Sequence, residues 1–380
     1  MVMSPEEFEK YKKECFDFLW NEVAPLEKEI ELTGKIPKKK LWPKFRDYGF
    51  FGLVIPQKYG GKELSETQFL EFEKEWSKIH GGIRGILHVH SVSCILLNMG
   101  GTEEQKRKYL PKMATGDLSM AFCLTEQFAG TGKDIKTTAK KEGDYYILNG
   151  EKHLITNADF TQLFAVVCYT ESEKGRLPSI LIVERGTSGF LIEDMGPIMG
   201  CTGLGHGRLT FKNVKVPKEN LLGGDEGKGL DYALTVLNLS RLHIAATGLG
   251  TCERCLELAL EYAQKRITFG KPIIERQAVQ NYLAEIATLT YALKTMIMDA
   301  AKKFDEGKDI TMEANMCKLF TIEATRRVTD NAILVFGGRG YLKEYSIERL
   351  YRDARLNWLE EGTPTIQNLV ITRELVRRGF

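Results

Sequence analysis

The hydrophobic period of this 380-residue chain changes twice, and that alternation limits its fold more than any other feature. Amphipathic segments fill the first third, as in Pro5–Lys28 and Thr67–Trp76. Pro43, Pro56 and the Gly60-Gly61 pair punctuate them. Short β-type runs follow. Tyr145–Leu148, Asn149-Gly150 and Glu151–Ile155 read as a hairpin with a type I′ turn. Leu163–Thr170, Ser179–Glu184 and Leu209–Val216 read as further strands. The helical period then returns. Val279, Leu283, Ile286, Leu289, Leu293 and Met296 recur three or four residues apart. Helices are expected over residues 230–264, 276–306, 311–335 and 364–378, long enough for a bundle.

The expected class is therefore α+β and multi-domain. Residues 1–116 form an N-terminal helical domain, 117–229 a middle antiparallel β-barrel, and 230–380 a C-terminal four-helix bundle. A crevice between such domains suits a large flat ligand.

Composition excludes several classes. The 53 basic and 51 acidic residues leave a net charge of +2, so no nucleic acid or anionic membrane is expected as partner. Apolar runs such as Ile180–Val183 are too short to span a bilayer. Met1–Tyr11 is rich in Glu and Lys. It lacks the apolar core of a secretory signal and the Arg/Ser-rich character of a transit peptide, so a cytoplasmic location is expected. Eight cysteines are too sparse for a disulfide framework. Cys252 and Cys255, one turn apart in a helical pattern, read as small core residues. His88 and His90 come closest to a pair, but no Asp, Glu or Cys cluster accompanies them in sequence. No metal site is expected.

Four segments carry chemistry. In Phe122–Glu126 and Ala129-Gly130-Thr131, small residues allow a planar ring to approach, and Thr hydroxyls can donate to its oxygens. In Lys265–Ile273, Arg266 can clamp a pyrophosphate, or simply complement a helix C-terminus. Phe336–Tyr341 is a glycine loop following a helix, which rules out a Rossmann fingerprint. It reads as a cradle of N–H groups or a helix cap. In Tyr351–Arg355 and Leu359–Thr363, Glu361 occupies a Gly-containing turn at a helix entrance, where a carboxylate can face a crevice or just favour the helix dipole.

Together and in this order, these segments resemble the acyl-CoA dehydrogenase family, from about residue 5 to 378. The match also includes Asn149-Gly150-Glu151-Lys152 and Ile155-Thr156-Asn157. The resemblance implies FAD, a homotetramer, an acyl-CoA substrate, and an electron-transferring flavoprotein or similar carrier as acceptor. Phe122, Leu124, Thr125, Thr131 and Thr156 match positions on the flavin ring, ribityl chain or pyrophosphate, and Thr363 one at the pyrophosphate. Arg266, Phe269, Gln277, Gly337 and Gly338 match positions reaching a neighbouring subunit's FAD. Arg241 matches a residue of the CoA-binding region. Glu361 sits at the commonest catalytic-base position. The family's base takes the α-proton while the β-hydride moves to flavin N5, and burial is expected to raise its pKa. Some relatives carry the base just before the Arg of the long helix; here that place is Ser240.

Departures from the family pattern are Gly132 for Asp, Gln127 for Pro, Leu154 for Trp, Leu334 for Gln and Glu360 for Tyr. Leu154 bears on the acceptor, because the missing Trp covers part of the flavin. Arg84 resembles the position where glutaryl-CoA dehydrogenases hold a distal carboxylate, the alternative being a salt bridge to a neighbouring acid. Other implied readings are an enoyl-CoA reductase using the same site in reverse and a non-redox CoA-thioester eliminase.

Overall fold

The computed structural model describes residues 3–129 and 134–379. Six helices open the chain: α1 (Pro5–Phe18), α2 (Glu27–Thr33), α3 (Lys38–Asp47), α4 (Glu66–Ile79), α5 (Gly81–Gly100) and α6 (Glu103–Ala114). Capping boxes start three of them. Ser4 with Glu7, Ser65 with Gln68 and Thr102 with Gln105 each satisfy two otherwise free N–H groups. The helix expected over Pro5–Lys28 is interrupted. A π turn at Leu19–Val23 and a 3-10 turn at Ala24–Leu26 surround Pro25, which has no N–H to give the ladder.

The middle segment is one seven-stranded sheet: β1 (Met120–Cys123), β2 (Thr138–Glu142), β3 (Tyr145–Thr156), β4 (Leu163–Ser172), β5 (Gly175–Glu184), β6 (Phe190–Asp194) and β7 (His206–Pro217). Its path runs β1-β4-β2-β3-β7-β6, with β5 also on β4. Most pairings are antiparallel, as expected, but β1 and β2 both run parallel to β4. The hairpin expected at Asn149-Gly150 is absent. Both residues lie inside β3, which continues straight through them. The register against β7 shifts between Leu148 and Gly150, with Gly150 at φ 141°. A Cβ there would meet Thr137 Oγ1 at 2.6 Å, so the Gly serves close approach in a bulge. The actual hairpin pairs β2 with β3 across Gly143-Asp144. Phe190 packs on Phe164 and Phe211, with centroids 4.9 and 4.8 Å apart, so the sheet curls around an aromatic interior.

The C-terminal part contains α7 (Gly229–Lys265), the short strands β8 (Ile267–Thr268) and β9 (Lys271–Pro272), α8 (Gln277–Asp305), α9 (Thr311–Phe336), α10 (Ser346–Ala354) and α11 (Pro364–Arg378). α7, α8, α9 and α11 pack as the expected bundle. Leu283, Ile286 and Leu293 of the predicted stripe are buried in its core, and Val279, Leu289 and Met296 pack against it.

α5 is buried nearly all round, between the sheet, α4 and α7. Its glycines make this possible. A Cβ on Gly82 would lie 2.2 Å from the Thr202 carbonyl, and one on Gly85 2.5 Å from Leu204. No helix among the described residues is long and apolar enough to cross a membrane.

Candidate active site

After α10 the chain makes a 3-10 turn at Leu356–Trp358, then reverses through Glu361 (φ 57°) and Gly362 (φ 103°). Thr363 is the N-cap of α11 and Pro364 its first residue. A left-handed Glu costs roughly 1–3 kcal/mol and persists only where its surroundings hold it. Arg241 of α7 donates from Nε to the Glu361 carbonyl (3.0 Å). Lys318 of α9 donates from Nζ to the Asn357 and Gly362 carbonyls (2.6 and 3.3 Å). Burial pulls the Lys318 ammonium down to about 8. Lys318→Met leaves both carbonyls without this donor. It is expected to lower the unfolding free energy by about 1–3 kcal/mol and to slow turnover. Denaturant titration and steady-state kinetics read the two effects; wild-type values in both would contradict this role.

The side chains of the turn point at α5. Arg84 and His88, one helical turn apart, address Glu360 and Glu361 in parallel. Arg84 Nη1 donates to Glu360 Oε2 (2.9 Å), and Nη2 lies 3.9 Å from Cys201 Sγ. Glu361 Oε1 is 3.7 Å from His88 Nε2, and its side chain is 14% exposed. Burial pushes the Glu361 carboxyl up, but His88, Ser240 and Arg241 outweigh it, so the group is held below its ordinary value. The rise expected from burial alone is thus reversed by neighbours that sequence does not place. Burial pushes the His88 imidazole down, but the carboxylates of Glu73 and Glu361 outweigh this and hold it up at about 9.

The sheet carries the positions expected to hold a flavin. Phe122 and Thr125 are half-buried and Leu124 is buried. Buried Lys152 ties this segment to β3, donating to the Leu124 carbonyl and to Glu126 Oε1 (both 2.9 Å). His153 N donates to the Thr125 carbonyl (2.8 Å). Glu126 also accepts from Thr137 N, Thr137 Oγ1 and Lys136 N, so it ties Lys136 and Thr137 to this segment. Burial raises the Glu126 carboxyl, but these donors and Lys152 bring it below its usual value. Thr156 Oγ1 lies 3.2 Å from His206 Nε2. Leu154, where the family pattern has Trp, is left-handed (φ 57°) and 52% exposed. Thr131, with Gly130 and Gly132, lies outside the described residues.

The remaining predicted positions fall on exposed ends of the bundle. Arg266, Phe269, Gln277, Gly337, Gly338 and Thr363 are all exposed, Phe269 at 97%. Tyr262 stacks on Phe336 at 4.2 Å and thereby joins the end of α7, before Arg266, to the glycine loop. Arg241, expected near CoA, is buried and bonded to the Glu361 turn and to Asn238. Asp353 of the Tyr351–Ala354 segment accepts from Cys201 N, Gly81 N and Arg349 Nη1 (2.5, 3.2 and 2.8 Å). It thereby joins α10 to the start of α5.

Sequence reading missed His88 and Lys318 as parts of this site. The available signals were His88 four residues after Arg84, and Lys318 amid Ala314, Cys317 and Thr321 on one helical face.

Comparisons with known proteins agree with this architecture. Family models for the acyl-CoA dehydrogenase N-terminal, middle and C-terminal domains match residues 5–117, 121–214 and 227–376. The chain belongs to the acyl-CoA dehydrogenase family. It is 37% identical to an acyl-CoA dehydrogenase of Bacillus subtilis over 96% of this chain and 97% of that protein. It is 35% identical to a subunit of the caffeyl-CoA reductase–Etf complex of Acetobacterium woodii, over 92% and 93%. Butyryl-CoA dehydrogenase from Megasphaera elsdenii superposes with a TM-score of 0.91 at 33% identity, covering 97% of this chain and 98% of that one.

Proposed function

We propose that this protein is an FAD-dependent acyl-CoA dehydrogenase in which Glu361 removes the α-proton of a CoA thioester. The observation that carries this reading is the held turn. Contacts from α5, α7 and α9 hold one glutamate in a strained, left-handed backbone conformation with its carboxylate turned to His88.

The residues fit FAD. Phe122 and Thr125 combine an apolar ring with a hydroxyl on a half-open face. A Cβ on Gly337 or Gly338 would meet nothing within 4 Å, which leaves their backbone open to a ligand. Phe122, Leu124, Thr125, Thr156 and Thr363 would hold FAD within the chain. Arg266, Phe269, Gln277, Gly337 and Gly338 would hold a neighbouring subunit's FAD in a homotetramer. FAD supplies, when bound, the acceptor for the β-hydride. Glu361 contributes the base, its carboxylate kept ionised by His88 and Ser240. Arg241 and Lys318 fix the backbone around it, and the Glu361 N–H is the donor toward the thioester oxygen. An electron-transferring flavoprotein is the proposed acceptor, supported by the similarity to the Etf-complex subunit.

That same similarity favours a second reading, reduction of an enoyl-CoA with Glu361 as proton donor. Anaerobic titration with acyl-CoA thioesters, and of the reduced enzyme with enoyl-CoA thioesters, separates the two by flavin absorbance. Bleaching by an acyl-CoA supports dehydrogenation; reoxidation by enoyl-CoA alone supports reduction. No response to either contradicts both.

Glu360 bears on substrate choice. It occupies Arg84, so the guanidinium charge is already answered, and a neutral acyl chain suits the site better than a dicarboxylic one. Arg84→Ala is expected to reduce kcat/KM for butyryl-CoA and glutaryl-CoA alike, within about threefold of each other. A selective loss for glutaryl-CoA, of the ~10-fold or more that one charge-assisted pair supplies, would contradict this.

A further inference from the structure

Behind Glu361 lies a cluster of ionisable side chains of which the proposed reaction uses only His88. Glu66 and Glu73 sit two turns apart on α4, His88 on α5 and His243 on α7, all buried. One ligand atom each from Glu73, His88 and His243 lies within 4.8 Å of the others. His88 Nδ1 is 2.9 Å from Glu73 Oε1, and His243 Nε2 is 3.0 Å from Glu66 Oε1.

Two carboxyl groups buried in a helical interior are costly as bare anions, and a proton within the cluster or a bound cation relieves that cost. The hydrogen bonding discriminates between them. A proton-linked network satisfies its members. Here Glu73 Oε2, Glu66 Oε1 and both ring nitrogens of His243 are buried without a hydrogen-bond partner, the Glu66–His243 contact being out of alignment. His88 is partnered by Glu73 and Ser240, but a carboxylate oxygen of Glu73 and the His243 ring next to it are not, and an ion among the three would satisfy them in place of the His88–Glu73 hydrogen bond.

We propose that Glu73, His88 and His243, with Glu66 as a fourth donor, bind a divalent transition-metal ion of the Zn²⁺ or Fe²⁺ type. Imidazole and carboxylate suit these ions. Tetrahedral bonds of roughly 2.0–2.2 Å place donors about 3.4 Å apart, within reach of small rotamer changes from the observed spacing. The outer groups are in place. His88 Nε2 is 3.2 Å from Ser240 Oγ, and the backbone N–H of Glu66 donates to Asp305 Oδ1 (2.7 Å).

The ion acts by position, not by redox. With Nδ1 on the ion, His88 keeps its proton on Nε2, facing Ser240 and, 3.7 Å away, Glu361 Oε1. The ring that orients the carboxylate is thereby locked in one tautomer. This consequence rests on Glu361 being the base; the ion site itself does not, and metal content is measured without turnover.

The test is elemental analysis of the dialysed holoenzyme, with anomalous diffraction at the metal edge. About one ion per chain is expected, with its peak among Glu73, His88 and His243. Glu73→Gln and His243→Ala are each expected to lower metal content ~10-fold or more while flavin absorbance and circular dichroism persist. A holoenzyme with under about a tenth of an equivalent, both as purified and after incubation with Zn²⁺, anaerobic Fe²⁺ or Mn²⁺ and dialysis, would overturn the proposal. So would a peak elsewhere or metal retained by both variants. If neither variant folds, the wild-type anomalous map decides alone.

Discussion

Glu361→Gln is expected to lower kcat for the best acyl-CoA thioester by about 10³–10⁴-fold, at the upper end of what a positioned general base contributes. Gln has the volume of Glu and keeps an oxygen toward His88 and Ser240, so the turn between α10 and α11 retains its contacts. What it loses is basicity. KM is expected to stay within about threefold of wild type, because the missing interaction belongs to the transition state. FAD content and melting temperature should be unchanged. A loss under about tenfold would mean another group takes the proton. Ser240, the alternative base position in some relatives, offers only a hydroxyl here.

The second large effect is on stability. Asp353→Ala removes a buried carboxylate that holds three elements together. It accepts from Arg349 on its own helix, from Gly81 at the start of α5, and from Cys201 in the loop against Gly82 and Gly85. Arg349 is buried and keeps only Glu27 as an acidic partner in hydrogen-bond contact. Removing one member of such a pair costs about 3–5 kcal/mol, read as a lower denaturant midpoint. Because α5 carries Arg84 and His88, the folded fraction should also show reduced turnover. A midpoint within error of wild type would show that Asp353 does not organise α5.

Local pattern made the helical parts legible. The apolar stripe from Val279 to Met296 predicted α8, and the four bundle helices fall within two residues of their expected limits. Asn149-Gly150 misled for a physical reason. The same dipeptide that favours a tight turn also permits a bulge, and only Thr137 beneath Gly150 decides between them. The parallel pairing of β1 and β2 with β4 is likewise a tertiary fact with no sequence signature.

The site was legible as a turn and a carboxylate, but not as an electrostatic environment. Glu361 stood out because Gly362, Thr363 and Pro364 follow it. Its neighbours His88, Ser240, Arg241 and Lys318 lie 43 to 273 positions away in sequence, and each reaches it by helix packing. The direction of the Glu361 shift therefore could not be read from burial alone. Glu73, His88 and His243 form a cluster for the same reason: α4, α5 and α7 bring them together.

If Glu361 takes the α-proton of a CoA thioester, it also exchanges that proton with solvent during anaerobic incubation in D₂O, without an electron acceptor, of the thioester that bleaches the flavin fastest. Mass spectrometry of the recovered substrate follows exchange at the α-carbon. Deuterium is expected at that carbon with the wild-type protein and none above background with Glu361→Gln. Equal exchange by both proteins would contradict this role of Glu361.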